Sequence, residues 1–185
     1  MGHLRSILAL TALGMAFAAP VLAQDKAKPA PATPQALGSF NAWTAAAVGE
    51  GANKVCYMRA KPERSESRPA RLRRGDVAVA VTHRPGAKQR DEVSFDAGYA
   101  IKDGAVVAVE IDAKRFQMYV RPATDPETAW SADEATDKAL VAAMRNGITM
   151  VIRAVSARGS ETVDTVALAG FSRAYAEIGK ACNIK

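Results

Sequence analysis

The sequence predicts a mainly β domain, an antiparallel sandwich or barrel of about eight strands with two short helices. Several segments alternate apolar and polar residues with a period of two, as half-buried strands do. Turn sequences separate these segments at short intervals, which favours an antiparallel arrangement. Two further segments carry apolar residues at helical spacing.

The strands follow from this alternation in chain order. The first two contain Trp43 and Cys56. Later segments with the same period lie at 76–82, 105–111, 115–120, 148–156 and 161–169. Asp103-Gly104 lies between two apolar runs and predicts a two-residue hairpin, and 157–160 predicts the turn of another.

The helices are predicted from their caps and apolar stripes. Ser131 and Glu134 fit a capping box at the start of a helix that runs to Asn146 and stops at Gly147. A last helix carries an apolar stripe formed by Phe171, Tyr175, Ile178 and Cys182. Cys182 is therefore expected to face the core.

Residues 1–23 have the pattern of a secretory signal peptide. A basic start at His3 and Arg5 precedes an apolar run at 7–19, and 21–23 fits the rule for cleavage after Ala23. The run is shorter than the roughly 20 residues that cross a bilayer as a helix. We expect a periplasmic or secreted protein without a transmembrane segment.

Residues 24–37 are rich in proline and alanine, which favours an extended linker. The remainder, 38–185, is expected to form one domain with a single core. Its only cysteines, Cys56 and Cys182, predict one disulfide in an oxidising compartment. Two unpaired buried thiols are the alternative, and redox catalysis is disfavoured because the chain has no Cys-x-x-Cys motif.

The charge of the chain is basic, with 25 Lys and Arg against 19 Asp and Glu. Much of the excess lies in residues 59–74, here called the basic segment. Anionic lipid, lipopolysaccharide phosphates, sulfated glycans or an envelope protein could bind there. The candidate contact residues are Arg64, Arg68, Arg71, Arg73 and Arg74. A solvated loop is the alternative. No aromatic residue separates these arginines, so nucleic acid is not expected as a partner.

The sequence contains no pattern that predicts catalysis, a metal site or a cofactor. His83 is the sole histidine after residue 23, and its position before Arg84-Pro85 predicts an ordinary surface or edge residue. Carboxylates that could pair for acid–base chemistry occur on or beside the predicted strands, at Glu92, Asp96, Glu110 and Asp112.

Arg74-Gly75-Asp76 is an Arg-Gly-Asp tripeptide, which suggests either an adhesive loop or a turn that enters a strand. Gly75 lies where the basic segment must turn into the strand that begins near Val77. A buried alternation follows Asp76 directly. Strand entry is therefore favoured over adhesion.

The order of several short stretches resembles the invasion-associated locus B family of exported bacterial proteins. The matching positions are Trp43, Cys56, 74–85 (RGDVAVAVTHRP), 92–99 (EVSFDAGY), 109–112 (VEID), Phe116, 129–130, 142–147 (AAMRNG), 156–174 (SARGSETVDTVALAGFSRA) and Cys182. Ala113 departs from the family, whose turn usually has glycine there. The resemblance implies an immunoglobulin-like β-sandwich and a role at the envelope of Gram-negative bacteria, and its founding members are linked to red-cell entry. It carries over no catalytic residue.

These observations predict a non-catalytic, exported β-sandwich that binds an envelope or host component through the basic segment. A periplasmic enzyme that acts on envelope polymers, through His83 or a carboxylate pair, is one alternative. A purely structural envelope scaffold is another.

Overall fold

The computed structural model describes residues 33–70 and 72–184, in which eleven antiparallel strands form one continuous sheet with two α-helices beside it. The predicted mainly β, antiparallel sandwich class is confirmed. The strands number eleven rather than about eight. The predicted signal peptide, the linker up to residue 32, and Arg71 lie outside the described residues.

The bounds of the elements follow in chain order. The strands are β1 (Gln35–Phe40), β2 (Trp43–Val48), β3 (Val55–Ala60), β4 (Arg64–Arg68), β5 (Ala78–Arg84), β6 (Gln89–Asp96), β7 (Val106–Ile111), β8 (Lys114–Arg121), β9 (Asp125–Ser131), β10 (Thr149–Val155) and β11 (Glu161–Ala167). The helices are α1 (Glu134–Asn146) and α2 (Phe171–Ala181).

The sheet folds back on itself to enclose the core. Its strand order is β1-β2-β3-β5-β6-β9-β8-β7-β10-β11-β4, so β2 and β11 lie near opposite edges. The indole Nε1 of Trp43 in β2 nevertheless donates a hydrogen bond to the carbonyl oxygen of Ala167 in β11, over 3.1 Å. Alternate residues point inward from both layers, and Phe95, Ile111 and Met150 are among those fully buried.

Strand β4 explains part of the difference in strand count. Its sequence, RSESR, has no apolar residue and therefore no period that predicts a strand. It pairs antiparallel with β11, with Ser65 opposite Asp164, and forms an edge of the sheet. At the start of the domain, β1 begins at Gln35 rather than Gly38, so the end of the predicted linker belongs to a strand.

The start of α1 differs from the predicted capping box. Asp133, not Ser131, is the N-cap, and its Oδ1 accepts a hydrogen bond from the amide of Thr136 over 2.7 Å. The hydroxyl of Ser131 instead donates to Asp137. Asp137 also accepts a hydrogen bond from the amide of Val93 in β6 over 2.8 Å. This bond attaches the first turn of α1 to β6, beyond the end of β9. The predicted end at Asn146 is confirmed.

The hairpin predicted at Asp103-Gly104 was wrong. The chain does turn there, with the amide of Ala105 donating to the carbonyl of Lys102 over 3.0 Å. The amides of Ile101 and Lys102, however, donate to Pro126 and Val155 rather than to β7. The local turn therefore forms, but backbone partners that are distant in sequence replace the strand pairing that the turn predicted.

Helix α2 packs against β1, β2 and β3 and carries Cys182 at its C-terminal end. Phe171 meets the ring of Trp43 edge-on, with centroids 4.9 Å apart. Cys182 forms a disulfide with Cys56 in β3, as expected for an oxidising compartment. The bond links residues that are 126 positions apart.

Replacing both cysteines, Cys56→Ser with Cys182→Ser, is expected to destabilise the domain by up to about 5 kcal/mol. The closed loop is long, and its opening raises the conformational entropy of the unfolded chain. Urea unfolding monitored by tryptophan fluorescence measures the change. The control is the intact mass of the wild-type protein before and after treatment with a thiol-alkylating reagent, which must show that no thiol is free. Alkylation at both cysteines would contradict the disulfide.

Candidate functional site

The basic segment occupies an edge of the sheet and the loop that follows it. Arg64 and Arg68 are exposed on β4, and Arg73 is exposed in the loop before β5. The Nε of Arg64 lies 3.2 Å from Glu66 Oε1, an exposed ion pair of the kind that contributes little stability. Within the described residues, neither Arg68 nor Arg73 forms an ion pair within 4.0 Å.

Arg74 was predicted as a contact residue, but the structure corrects this. Its side chain is only 10% exposed, and its guanidinium forms two hydrogen bonds, of 2.8 and 2.7 Å, to the carboxylate of Asp164. Asp164 has no exposed side-chain surface. Because this bidentate pair occupies the charged end of Arg74, that residue is a structural anchor and not a site for an external anion.

Further contacts complete what we call the Arg74–Asp164 cluster. Arg74 Nε donates to the carbonyl of Ala97 over 3.0 Å, and its guanidinium lies 5.0 Å from the ring centroid of Tyr99. Ser65 in β4 donates to Asp164 over 2.6 Å. The hydroxyls of Tyr99 and Thr162 share a hydrogen bond of 2.6 Å, and burial raises the pKa of Tyr99.

Backbone packing holds the same loop in place. The amide of Gly75 donates to the carbonyl of Gly98 over 2.7 Å. Gly98 has a φ of +66°, and a Cβ there would lie 2.9 Å from Gly75 backbone atoms, so only glycine fits without strain.

Both charged ends of the Arg-Gly-Asp tripeptide are engaged within the protein. Arg74 is held by Asp164, and Asp76 lies 2.6 Å from Lys61 and 2.7 Å from Arg59. The hydrogen bonds from Lys61 and Arg59 hold the pKa of Asp76 below its ordinary value. This arrangement favours the strand-entry interpretation over an adhesive loop.

A cavity of about 280 Å³ lies beside the basic segment. It brings one arginine from elsewhere in the chain next to this segment. Arg73 lines the cavity from one side, and Arg158, from the turn between β10 and β11, lines it too. Arg158 is exposed and forms no ion pair among the residues that the structure describes. The sequence shows the turn, but only the fold brings it next to the basic segment.

His83 was expected at the surface, and this was wrong. The side chain has no exposed surface, and its Nδ1 accepts a hydrogen bond from the amide of Asp91 over 3.1 Å. Its Nε2 has no hydrogen-bond partner in the described part of the chain. The ring meets Tyr175 edge-on, and His83 pairs with Cys56 across β5 and β3. Burial lowers the pKa of His83, an effect that Asp91 opposes.

The carboxylates considered for acid–base chemistry do not converge with His83. Glu92 pairs with Arg84 and accepts a hydrogen bond from Gln89. Asp96 accepts from the amide of Gly98, and Asp112 from that of Ile148. Glu110 lies on β7 beside a different cavity. In residues 33–70 and 72–184, no group of three or more His, Cys, Asp or Glu side chains is placed to hold a metal ion.

Comparison with known proteins identifies the family. The family model described as invasion associated locus B (IalB) protein matches residues 43–179. The chain belongs to the IalB family. No curated protein matches this IalB-family chain.

A solved structure shares the fold. The crystal structure of invasion associated protein b from Bartonella henselae superposes with a TM-score of 0.52 at 18% identity, covering 79% of this IalB-family chain and 97% of the other. The described residues of the present protein contain no helix long and apolar enough to cross a membrane.

Arg74→Ala is expected to destabilise the domain by about 3–5 kcal/mol, because it leaves the carboxylate of Asp164 buried and unpaired. Arg73→Ala, next to it but exposed, should change stability by no more than about 0.5 kcal/mol. The double variant Arg74→Met/Asp164→Leu should recover much of the loss. Urea unfolding of the three variants measures these values, and equal losses for Arg73→Ala and Arg74→Ala would contradict the assignment.

Acidification is expected to weaken the fold through His83. Because burial holds the pKa of the ring below its ordinary 6.5, the unfolded chain binds more protons than the folded one just below that pH. The free energy of unfolding should therefore fall between about pH 7 and pH 5. His83→Gln removes this contribution, so its urea midpoint should depend less on pH over the same interval. If the urea midpoints of wild type and variant change equally with pH, His83 is not the group responsible.

Proposed function

We propose that this IalB-family protein is exported, non-catalytic, and binds an anionic component of the bacterial envelope or of a host surface. Its contact surface is the exposed part of the basic segment together with Arg158. The observation that carries the proposal is the position of Arg73 and Arg158, two exposed arginines that line one small cavity and form no ion pair with any described residue.

The chemistry of these side chains favours phosphate or sulfate groups. A guanidinium presents its donors in a planar fork that matches two oxygens of such a group. Arg68, at the end of β4, extends the cationic surface along the same edge of the sheet. Binding through several exposed charges should weaken as ionic strength rises, because salt screens them.

Export is supported by the signal-peptide pattern of residues 1–23 and by the disulfide, which suits an oxidising compartment. The lack of a catalytic role is supported by the burial of His83 and the scattered carboxylates. The proposed location is therefore the periplasm or the exterior.

Arg68→Ala/Arg73→Ala/Arg158→Ala is expected to bind heparin, and vesicles containing anionic phospholipid, at least about tenfold more weakly than wild type in dilute buffer. Each lost charge-assisted hydrogen bond contributes about 1.5–3 kcal/mol. Calorimetry tests heparin and vesicle co-sedimentation tests lipid, and the comparison shows which source of anionic groups is preferred.

Lys138→Ala/Arg173→Ala/Lys180→Ala is the matched control, since it removes the same charge from exposed positions on α1 and α2. It should retain near wild-type affinity. Equal losses for both triple variants would mean that only net charge matters. Binding that does not change with salt would reject the proposal.

A further inference from the structure

A second cavity lies on the face of β7, β8 and β10 that points away from the core. This trough has a volume of about 610 Å³. Its principal side chains are Ala108, Glu110, Arg115, Gln117, Tyr119 and Arg153. None of them belongs to the basic segment.

The strand register explains why these side chains share one face. Ala108 pairs with Gln117 on β8 and with Arg153 on β10, so the smallest side chain lies between two long ones. Glu110 pairs in the same way with Arg115 on β8. The alternate residues, such as Val109 and Met118, point into the core and hold the three strands rigidly. The trough is therefore a preformed feature of the sheet.

The polar groups of the trough are mainly hydrogen-bond donors. Arg115 and Arg153 form no ion pair within 4.0 Å in the described parts of the chain. The hydroxyl of Tyr119 donates to Gln117 Oε1 over 2.9 Å, and among the described residues the amide nitrogen of Gln117 has no hydrogen-bond acceptor. Glu110 contributes the one carboxylate. Two guanidinium groups against one carboxylate favour a ligand that carries negative charge.

Aromatic rings give the same face an apolar component. Tyr119 is 41% exposed. It pairs with Trp130 on β9, so both rings lie on the outward face, and the guanidinium of Arg121 lies 4.8 Å from the centroid of Trp130. A flat exposed ring can cover the C–H face of a pyranose, while planar amide and guanidinium groups bind its hydroxyl and carboxylate oxygens.

We propose that this trough binds an anionic oligosaccharide whose sugars carry carboxylate groups. Arg115 and Arg153 bind the carboxylates, Gln117 and Glu110 bind hydroxyl groups, and Tyr119 packs against a sugar ring. The charge balance selects an acidic chain over a neutral one. The site is independent of the basic segment, because it uses other strands and none of the same residues.

An oligogalacturonate hexamer is the probe, and maltohexaose is its uncharged counterpart of equal length. Backbone NMR shifts of the mature protein report where the probe binds, and calorimetry reports affinity. Arg115→Ala/Arg153→Ala removes the charged contacts. Ala108→Trp places a large side chain in the trough at an exposed strand position and so blocks it. Arg173→Ala/Lys180→Ala serves as the charge-matched control. Far-UV circular dichroism confirms that each variant is folded.

We expect saturable shifts at Ala108, Gln117 and Tyr119 with oligogalacturonate, and binding at least tenfold weaker in both trough variants. The charge control, and the variant that lacks Arg68, Arg73 and Arg158, should bind as wild type does. The proposal is overturned if the hexamer does not bind at millimolar concentration, if maltohexaose binds equally well, or if the shifts lie at 72–74 and 156–158. The last result would leave the function proposed for the basic segment intact.

Discussion

A buried ion pair between Arg74 and Asp164 joins four separate parts of the protein. It connects β11 to the loop before β5, and through Ser65 and Ala97 it reaches β4 and the end of β6. Burial of two charges is costly in desolvation, and the cost is offset only where geometry and hydrogen bonding are complete. Here the bidentate contact, the Ala97 carbonyl, the Ser65 hydroxyl and the ring of Tyr99 surround both groups.

The ion pair with Asp164 distinguishes Arg74 from the exposed arginines of the basic segment. Arg74 is drawn inward, while its neighbour Arg73 is left exposed beside Arg158. A cluster of positive charge in a sequence therefore overstates the surface that is available to an anion. Edge strand β4 has a related role, because its polar residues bind β11 on one side and leave Arg68 open to solvent on the other.

The two faces of the sheet have different environments. On the inner face, α2 is attached to the first strands by the contact of Phe171 with Trp43 and by the Cys56–Cys182 disulfide, and His83 is buried beside them. Outside, the face of β7, β8 and β10 carries an exposed tyrosine and two arginines that form no ion pair within residues 33–70 and 72–184. Rigid strands hold side chains in defined positions at little further entropic cost, which suits a binding surface.

Elements with a local signal could be predicted from the sequence alone. Apolar alternation with a period of two predicted strands such as β5 and β7, Gly147 marked the end of α1, and the order of short motifs indicated the family. The three-dimensional structure was needed to show that RSESR is a strand, that Asp133 caps α1, that Arg74 pairs with Asp164, that His83 is buried, and that Arg158 lies beside Arg73. Alternation records which side of a strand faces the core, whereas the partner of a charge or of a polar edge strand is distant in the chain and leaves no local pattern.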